Sequence, residues 1–88
     1  MLRVAGDNLT DFWQLSATSA GAASVTFALK RRTGGWRRLA VDDSPQFRAF
    51  LDAARFRRNE PVHLVAIARG WNGSTSTSRV VPFTVRRR

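Results

Sequence analysis

Apolar residues recur at every second position along most of this chain, a period that favours strands with one buried face over amphipathic helices. Val25, Phe27 and Leu29 alternate with Thr26, Ala28 and Lys30, and Trp13, Leu15 and Ala17 alternate with Gln14, Ser16 and Thr18. Turn residues bound each run. "TSAGAAS" breaks the first, and Thr33-Gly34-Gly35 offers the positive-φ positions of a tight hairpin that returns the chain from Trp36 to Val41. "VDDSPQ" is a second break, where Pro45 has no N–H to give a ladder.

The segment from Phe47 fits two periods. Phe47, Phe50, Leu51 and Ala54 have helical spacing, whereas Phe47, Ala49 and Leu51 have strand spacing. Pro45 and the surrounding strands favour a strand to Leu51, then a turn or short helical piece at Ala53 to Phe56. Asn59-Glu60-Pro61 punctuates again, Val62 to Arg69 is a strand, and Arg79 to Val85 is another, with Pro82 marking an edge or a bulge. The count is six strands, or seven if Leu2-Arg3-Val4 pairs. Such closely spaced strands predict an all-β antiparallel sandwich.

A chain of 88 residues forms one domain spanning 1–88. Its 43% apolar content suits a packed core and is too high for disorder. The absence of cysteine removes disulfides and thiolate metal sites. No apolar run approaches the roughly 20 residues that span a bilayer, so no membrane partner is expected. The N-terminus lacks a signal pattern, and the chain reads as a monomeric domain taken from a larger multidomain protein.

The charge is +9, from 15 basic against 6 acidic residues, and Lys30 is the single lysine. An arginine skew of this kind matches the coding bias of a GC-rich genome. A charge of +9 also attracts polyanions. The arginines are spread among Arg31-Arg32, Arg37-Arg38, Arg55, Arg57-Arg58 and the tail, which reads as solvated surface ahead of a nucleic-acid footprint.

Catalytic chemistry finds no foothold. His63, the one histidine, lies opposite Val62 and Leu64 in strand parity and has no second ligand or nucleophile in view. Asp42 and Asp43 are adjacent and so point to opposite sides of an extended chain, unlike the facing acids of a glycosidase. Asp52 does not complete a calcium-loop spacing with them, and turn capping by Asp43 and Ser44 is the expectation. Residues 74–78 carry hydroxyls without an acid–histidine pair to activate one. The triplets Asn8-Leu9-Thr10 and Asn72-Gly73-Ser74 match the glycosylation acceptor pattern, which chance also produces. The chain is therefore expected not to be an enzyme and to need no cofactor or metal.

The aromatics are the remaining candidates. Trp13 keeps step with Leu15 and Ala17 and is read as core; Trp36, just after the Gly-Gly turn, is read as core or semi-core. If Asn72-Gly73 is a two-residue turn, Trp71 faces Ser74, Arg69 faces Ser76, Val65 faces Val80, Leu64 faces Val81 and Val62 faces Phe83. The face of Leu64, Val62, Val81 and Phe83 then points inward. Trp71, Arg69, Val65, Ile67 and Val80 fall outward, and a one-residue bulge in the Ser/Thr run would change the pairing. Together with Trp36 these form the candidate interaction surface, because contiguous exposed apolar surface marks a contact site.

The stretches "VTFALKRRTGGWRRLAVDDSPQFRAFLD" and "PVHLVAIARGWNGSTSTSRVVPFTV" resemble the fibronectin type III and immunoglobulin-like accessory domains of secreted bacterial glycoside hydrolases of the α-amylase and pullulanase type. The likeness covers about residues 12 to 85. It rests on Val25-x-Phe27, Trp36 after its turn, Asp42-Asp43 before Pro45 and Phe47, Asp52, Val62-x-Leu64, Ala66-x-Ala68, Gly73 and Ser78. Two departures stand out: Asn59-Glu60-Pro61 replaces the family's glycine turn, and "MLRVAGDNLTDFW" lacks a clear first strand. The resemblance implies an extracellular, non-catalytic module that docks on or spaces a neighbouring domain of the same polypeptide. The alternatives are carbohydrate contact through Trp71 and Trp36, and polyanion or nucleic-acid binding by the arginines, with nucleic acid the least expected.

Overall fold

Runs rich in β-branched and aromatic residues, cut by Gly, Asn and Asp, fold into strands because their side chains pack well on a pleated surface. The computed structural model describes residues 2–6, 12–19, 21–44 and 47–85. The strands are β1 (Leu2–Gly6), β2 (Phe12–Ala17), β3 (Ala22–Lys30), β4 (Trp36–Asp42), β5 (Arg48–Asp52), β6 (Glu60–Gly70), β7 (Thr75–Thr77) and β8 (Val81–Val85). A single 3₁₀ turn, Ala53–Arg55, follows β5. Pro45, the Asn8-Leu9-Thr10 triplet and the arginines at 86–88 lie outside the described residues.

All strand pairs are antiparallel and form two sheets. One has the order β1-β2-β5; the other runs β4-β3-β6, with β7 and β8 successively lining the free edge of β6. The chain is thus an all-β antiparallel sandwich, and the segment Leu2-Arg3-Val4 does pair, as part of β1 along β2. Phe47, Ala49 and Leu51 are buried and Phe50 is exposed, so period two decides the ambiguous segment. Asp52 then accepts from the Ala54 N–H at 3.0 Å and starts the helical piece expected there.

Leu15, Ala17, Ala49 and Leu51 from the first sheet meet Val25, Phe27, Leu29, Val62, Leu64 and Val85 from the second. Trp13 is half-buried and sets its ring edge-on to Phe83, with centroids 5.0 Å apart and planes at 71°, joining the two layers.

The last hairpin departs from the two-residue turn. Gly73 N–H donates to Gly70 O at 3.1 Å and Gly70 N–H to Ser74 O at 2.8 Å, which closes a loop of three residues. Gly73 takes φ +85°, the left-handed residue such loops require. The register near the turn therefore slips by one from the expected pairing, to Arg69 with Thr75 and Ile67 with Thr77. Ser78 then restores it. Its N–H donates to Ala66 O at 2.8 Å, its Oγ accepts from Ala66 N–H at 2.9 Å, and the Oγ donates to Arg79 O at 3.0 Å. Arg79 and Val80 together oppose Val65, so Leu64 meets Val81 and Val62 meets Phe83 as expected. Ser78→Ala should destabilise the domain by about 1–2 kcal/mol, because the Ala66 N–H in a buried strand loses its acceptor. Urea denaturation checks this, and a change within about 0.3 kcal/mol would remove the hydroxyl from the account of the bulge.

Candidate functional site

The strand register defines an outer face on the larger sheet. Lys30, Ala28 and Thr26 of β3 point away from the core, since their neighbours Leu29, Phe27 and Val25 point into it. Opposite them on β4 stand Trp36, Arg38 and Val41, and on β6 stand His63, Val65 and Ile67. Val41 reaches this face because Ala28 pairs with Arg38 while Phe27 pairs with Ala40, leaving Leu39 as an extra residue. Simple alternation from Trp36 would have turned Val41 inward.

The candidate residues are placed as follows. Val65 lies on the outer face but is buried, 6% exposed, beside Ala28 at 8%; neither belongs to the cluster between the sheets. Their cover is the surrounding side chains of the face itself. Ile67 is half-buried and Arg69 exposed. Val80, in the bulge opposite Val65, is 44% exposed, and Val41 is 51% exposed. Trp36 is 46% exposed beside Lys30, a departure from the core or semi-core expectation. Its pairing with Lys30 puts it on the outer face at the sheet end. Trp71, 85% exposed, sits in the hairpin loop beyond Gly70, which pairs with Ala22 at the other end of β3. Trp36 and Trp71 are therefore a strand length apart, roughly 25 Å at the usual rise, and form no common platform.

Trp71 borders a groove of about 430 Å³ whose walls include Ser19, Asn72, Ser74, Thr75 and Ser76. Asn72 Oδ1 accepts from Ser74 N–H at 3.1 Å and from Ser74 Oγ at 2.7 Å, fixing the loop. A Cβ on Gly70 would stand 3.1 Å from that same Oδ1, so the tip is built around a glycine.

The carboxylates serve the scaffold. Asp42, rather than Asp43, caps the β4–β5 connection, accepting from Ser44 N–H at 3.0 Å and Arg48 N–H at 2.9 Å. Those two donors, Arg48 first, hold its carboxyl below the usual range. Register decides which aspartate caps: Asp42 opposes the inward Val25, so its oxygens lie over the returning chain. His63 is exposed and faces Pro82 across the edge. Among the described residues no three His, Cys, Asp or Glu side chains gather as a metal site.

Sequence reasoning missed Glu60. It is 8% exposed and shares strand parity with Val62 and Leu64, which is the signal that would have placed it inward. Its Oε2 accepts from Arg31 Nε at 2.6 Å, and its Oε1 accepts from Arg31 Nη2 at 2.7 Å and from Arg57 N–H at 2.9 Å. The guanidinium of Arg31 also stands 4.8 Å from the Phe56 ring centroid. The Arg31 bonds are the main cause of a Glu60 carboxyl held below its ordinary range, with the Arg57 N–H adding to it.

Both Asp42 and Glu60 have folded pKa values below their unfolded ones. Their contribution to stability is therefore complete above the ordinary carboxylate range and fades as pH falls through the depressed values. The melting temperature should hold steady above about pH 5 and drop on acidification below about pH 4. Glu60→Gln should flatten that acid limb, and an unaltered limb would show that the pair contributes nothing to it.

No family model matches this chain, and no curated protein or solved structure shows significant similarity to it.

Proposed function

We propose that this chain is a non-catalytic β-sandwich module that docks on a neighbouring domain of its own polypeptide through the outer face of the β4-β3-β6 sheet. The observation that carries the reading is the exposure of Trp36 and Val41 on that face, around Ile67 and the buried Val65 and Ala28, with Val80 exposed in the bulge at the β6 edge. Apolar side chains gathered on one face suit a protein contact, where they leave water together. Arg38 stands between Trp36 and Val41 on β4, Lys30 lies beside Trp36 on β3, and Arg69 closes the far end of the face, a mixture of charged and apolar groups that a protein contact accommodates. The fourth strand lies beside the third and not beside the fifth, which differs from the immunoglobulin constant-domain order. A secreted bacterial glycoside hydrolase as the parent protein rests on the sequence likeness alone.

Hydroxyl-radical footprinting tests the docking face by comparing the natural gene product from its source with the isolated 88-residue chain. Labelling of Trp36, Val41 and Val80 should fall severalfold in the natural product while Phe50 stays equally labelled. Equal labelling of all four in both samples would sink the proposal.

A second reading is favoured by Trp71, whose exposed ring adjoins the hydroxyl-lined groove. An aromatic plane beside hydrogen-bonding groups suits a sugar ring. Under this reading α-glucans perturb the tryptophan fluorescence of the wild type, with little dependence on salt. Trp71→Ala should abolish the response while changing stability by less than about 0.5 kcal/mol, as exposed substitutions do. No response in the wild type removes carbohydrate binding through this loop.

A further inference from the structure

The arginines that look dispersed in sequence converge at the end of the sandwich opposite Trp71. Arg31 and Arg32 leave β3, Arg37 lies on β4, and Arg57 and Arg58 precede β6. All five line one cleft of about 490 Å³ with Glu60 as its single carboxylate, a net of four positive charges. Among the described residues, Arg32, Arg37, Arg57 and Arg58 have no ion-pair partner within 4.0 Å.

Glu60 organises this cleft and does not neutralise it. It takes two of the five Arg31 N–H groups and fixes the Arg57 backbone, leaving three Arg31 donors free to serve a ligand. Asn59 in a left-handed conformation, φ 58°, turns the chain between the Arg57-Arg58 pair and β6. Guanidinium groups gathered in this way repel one another, and an oxyanion relieves that repulsion through forked, charge-assisted hydrogen bonds. The volume lies in the range of small-ligand sites.

We infer that this arginine cleft binds a compact anion of two or three linked phosphates. A phosphate monoester carries about two negative charges at neutral pH, so a single carboxylate falls short of four cations where a short phosphate chain matches them. The residues lining the cleft include no aromatic ring. That distinguishes it from single-strand nucleic-acid grooves, which add stacking surfaces to their basic track. No residue of the docking face lines the cleft, although Trp36 lies between Gly35 and Arg37, which do; anion binding by the isolated chain is tested without reference to docking.

Isothermal titration of the whole chain with sodium tripolyphosphate tests the inference, with inorganic phosphate and a ten-nucleotide oligothymidylate in parallel. Tripolyphosphate should bind at one saturable site, more tightly than phosphate and than the oligonucleotide. Arg57→Gln with Arg58→Gln should weaken it about a hundredfold, at about tenfold per charge-assisted contact removed. Arg32→Gln with Arg37→Gln should do the same, so one pair remains informative if the other fails the circular-dichroism check for folding. Arg48→Gln with Arg79→Gln removes equal charge from segments that do not line the cleft and should leave affinity within about twofold, because distant exposed charges are screened. Absence of saturable binding, an equal loss in the Arg48/Arg79 pair, or tighter binding of the oligonucleotide would each overturn the proposal.

Discussion

Replacing Phe27 by alanine is expected to lower unfolding free energy by about 4 kcal/mol, the usual cost of emptying a buried aromatic site. Phe27 is fully buried at the centre of β3, flanked in its sheet by Ala40 and Ala66. Alanines on both sides give the cavity nothing large to collapse with, so its cost should stay near the upper part of the range. An 88-residue domain has a total stability of about 5–10 kcal/mol, so this one change consumes much of it. Phe50→Ala is the control. Phe50 is 64% exposed on the outer side of β5, and its loss should cost less than about 0.5 kcal/mol. Urea denaturation of both variants decides the matter: similar midpoints for the two would mean the faces of β3 and β5 are wrongly assigned.

Trp13→Ala should rank second, at about 3 kcal/mol. The Trp13 ring is only half-buried, yet it bridges the layers through its edge-on contact with Phe83. A double-mutant cycle with Phe83→Ala isolates that contact, and the coupling should be about 0.5–1.5 kcal/mol. Additive single effects would show that Trp13 acts by burial alone and that the layers are joined elsewhere.

Much of the fold was legible because each strand carries its own period. Val25-Phe27-Leu29 and Val62-Leu64-Ala66 mark their inward faces without help from the rest of the chain. The pairings of Leu64 with Val81 and Val62 with Phe83 were also legible, though two deviations cancel to produce them. The three-residue loop shifts the register by one, and the Arg79–Val80 bulge shifts it back. Neither is encoded by alternation, since a loop of two or three residues around Asn72-Gly73 satisfies the same turn chemistry.

The candidate surfaces were legible in part. Trp71 belongs to a turn and is exposed for that reason. Val41 was hidden by the extra residue at Leu39, which reverses parity midway along β4. Val65 has the parity of an exposed residue and is nevertheless covered, because burial on an outer face depends on neighbours in other strands. The Arg31–Glu60 pair was illegible for the same reason: it joins the end of β3 to the start of β6, 29 residues apart.

The sequence by itself determined an antiparallel all-β chain, the inward faces of its regularly alternating strands such as β3 and β6, and the sites of most turns, because period and turn chemistry are local properties of the backbone. Only the tertiary structure decided which strands beyond the hairpin partners lie side by side, where bulges invert a face, and that five arginines from three segments share one cleft. Those outcomes depend on contacts between residues far apart in the chain, and no local pattern records them.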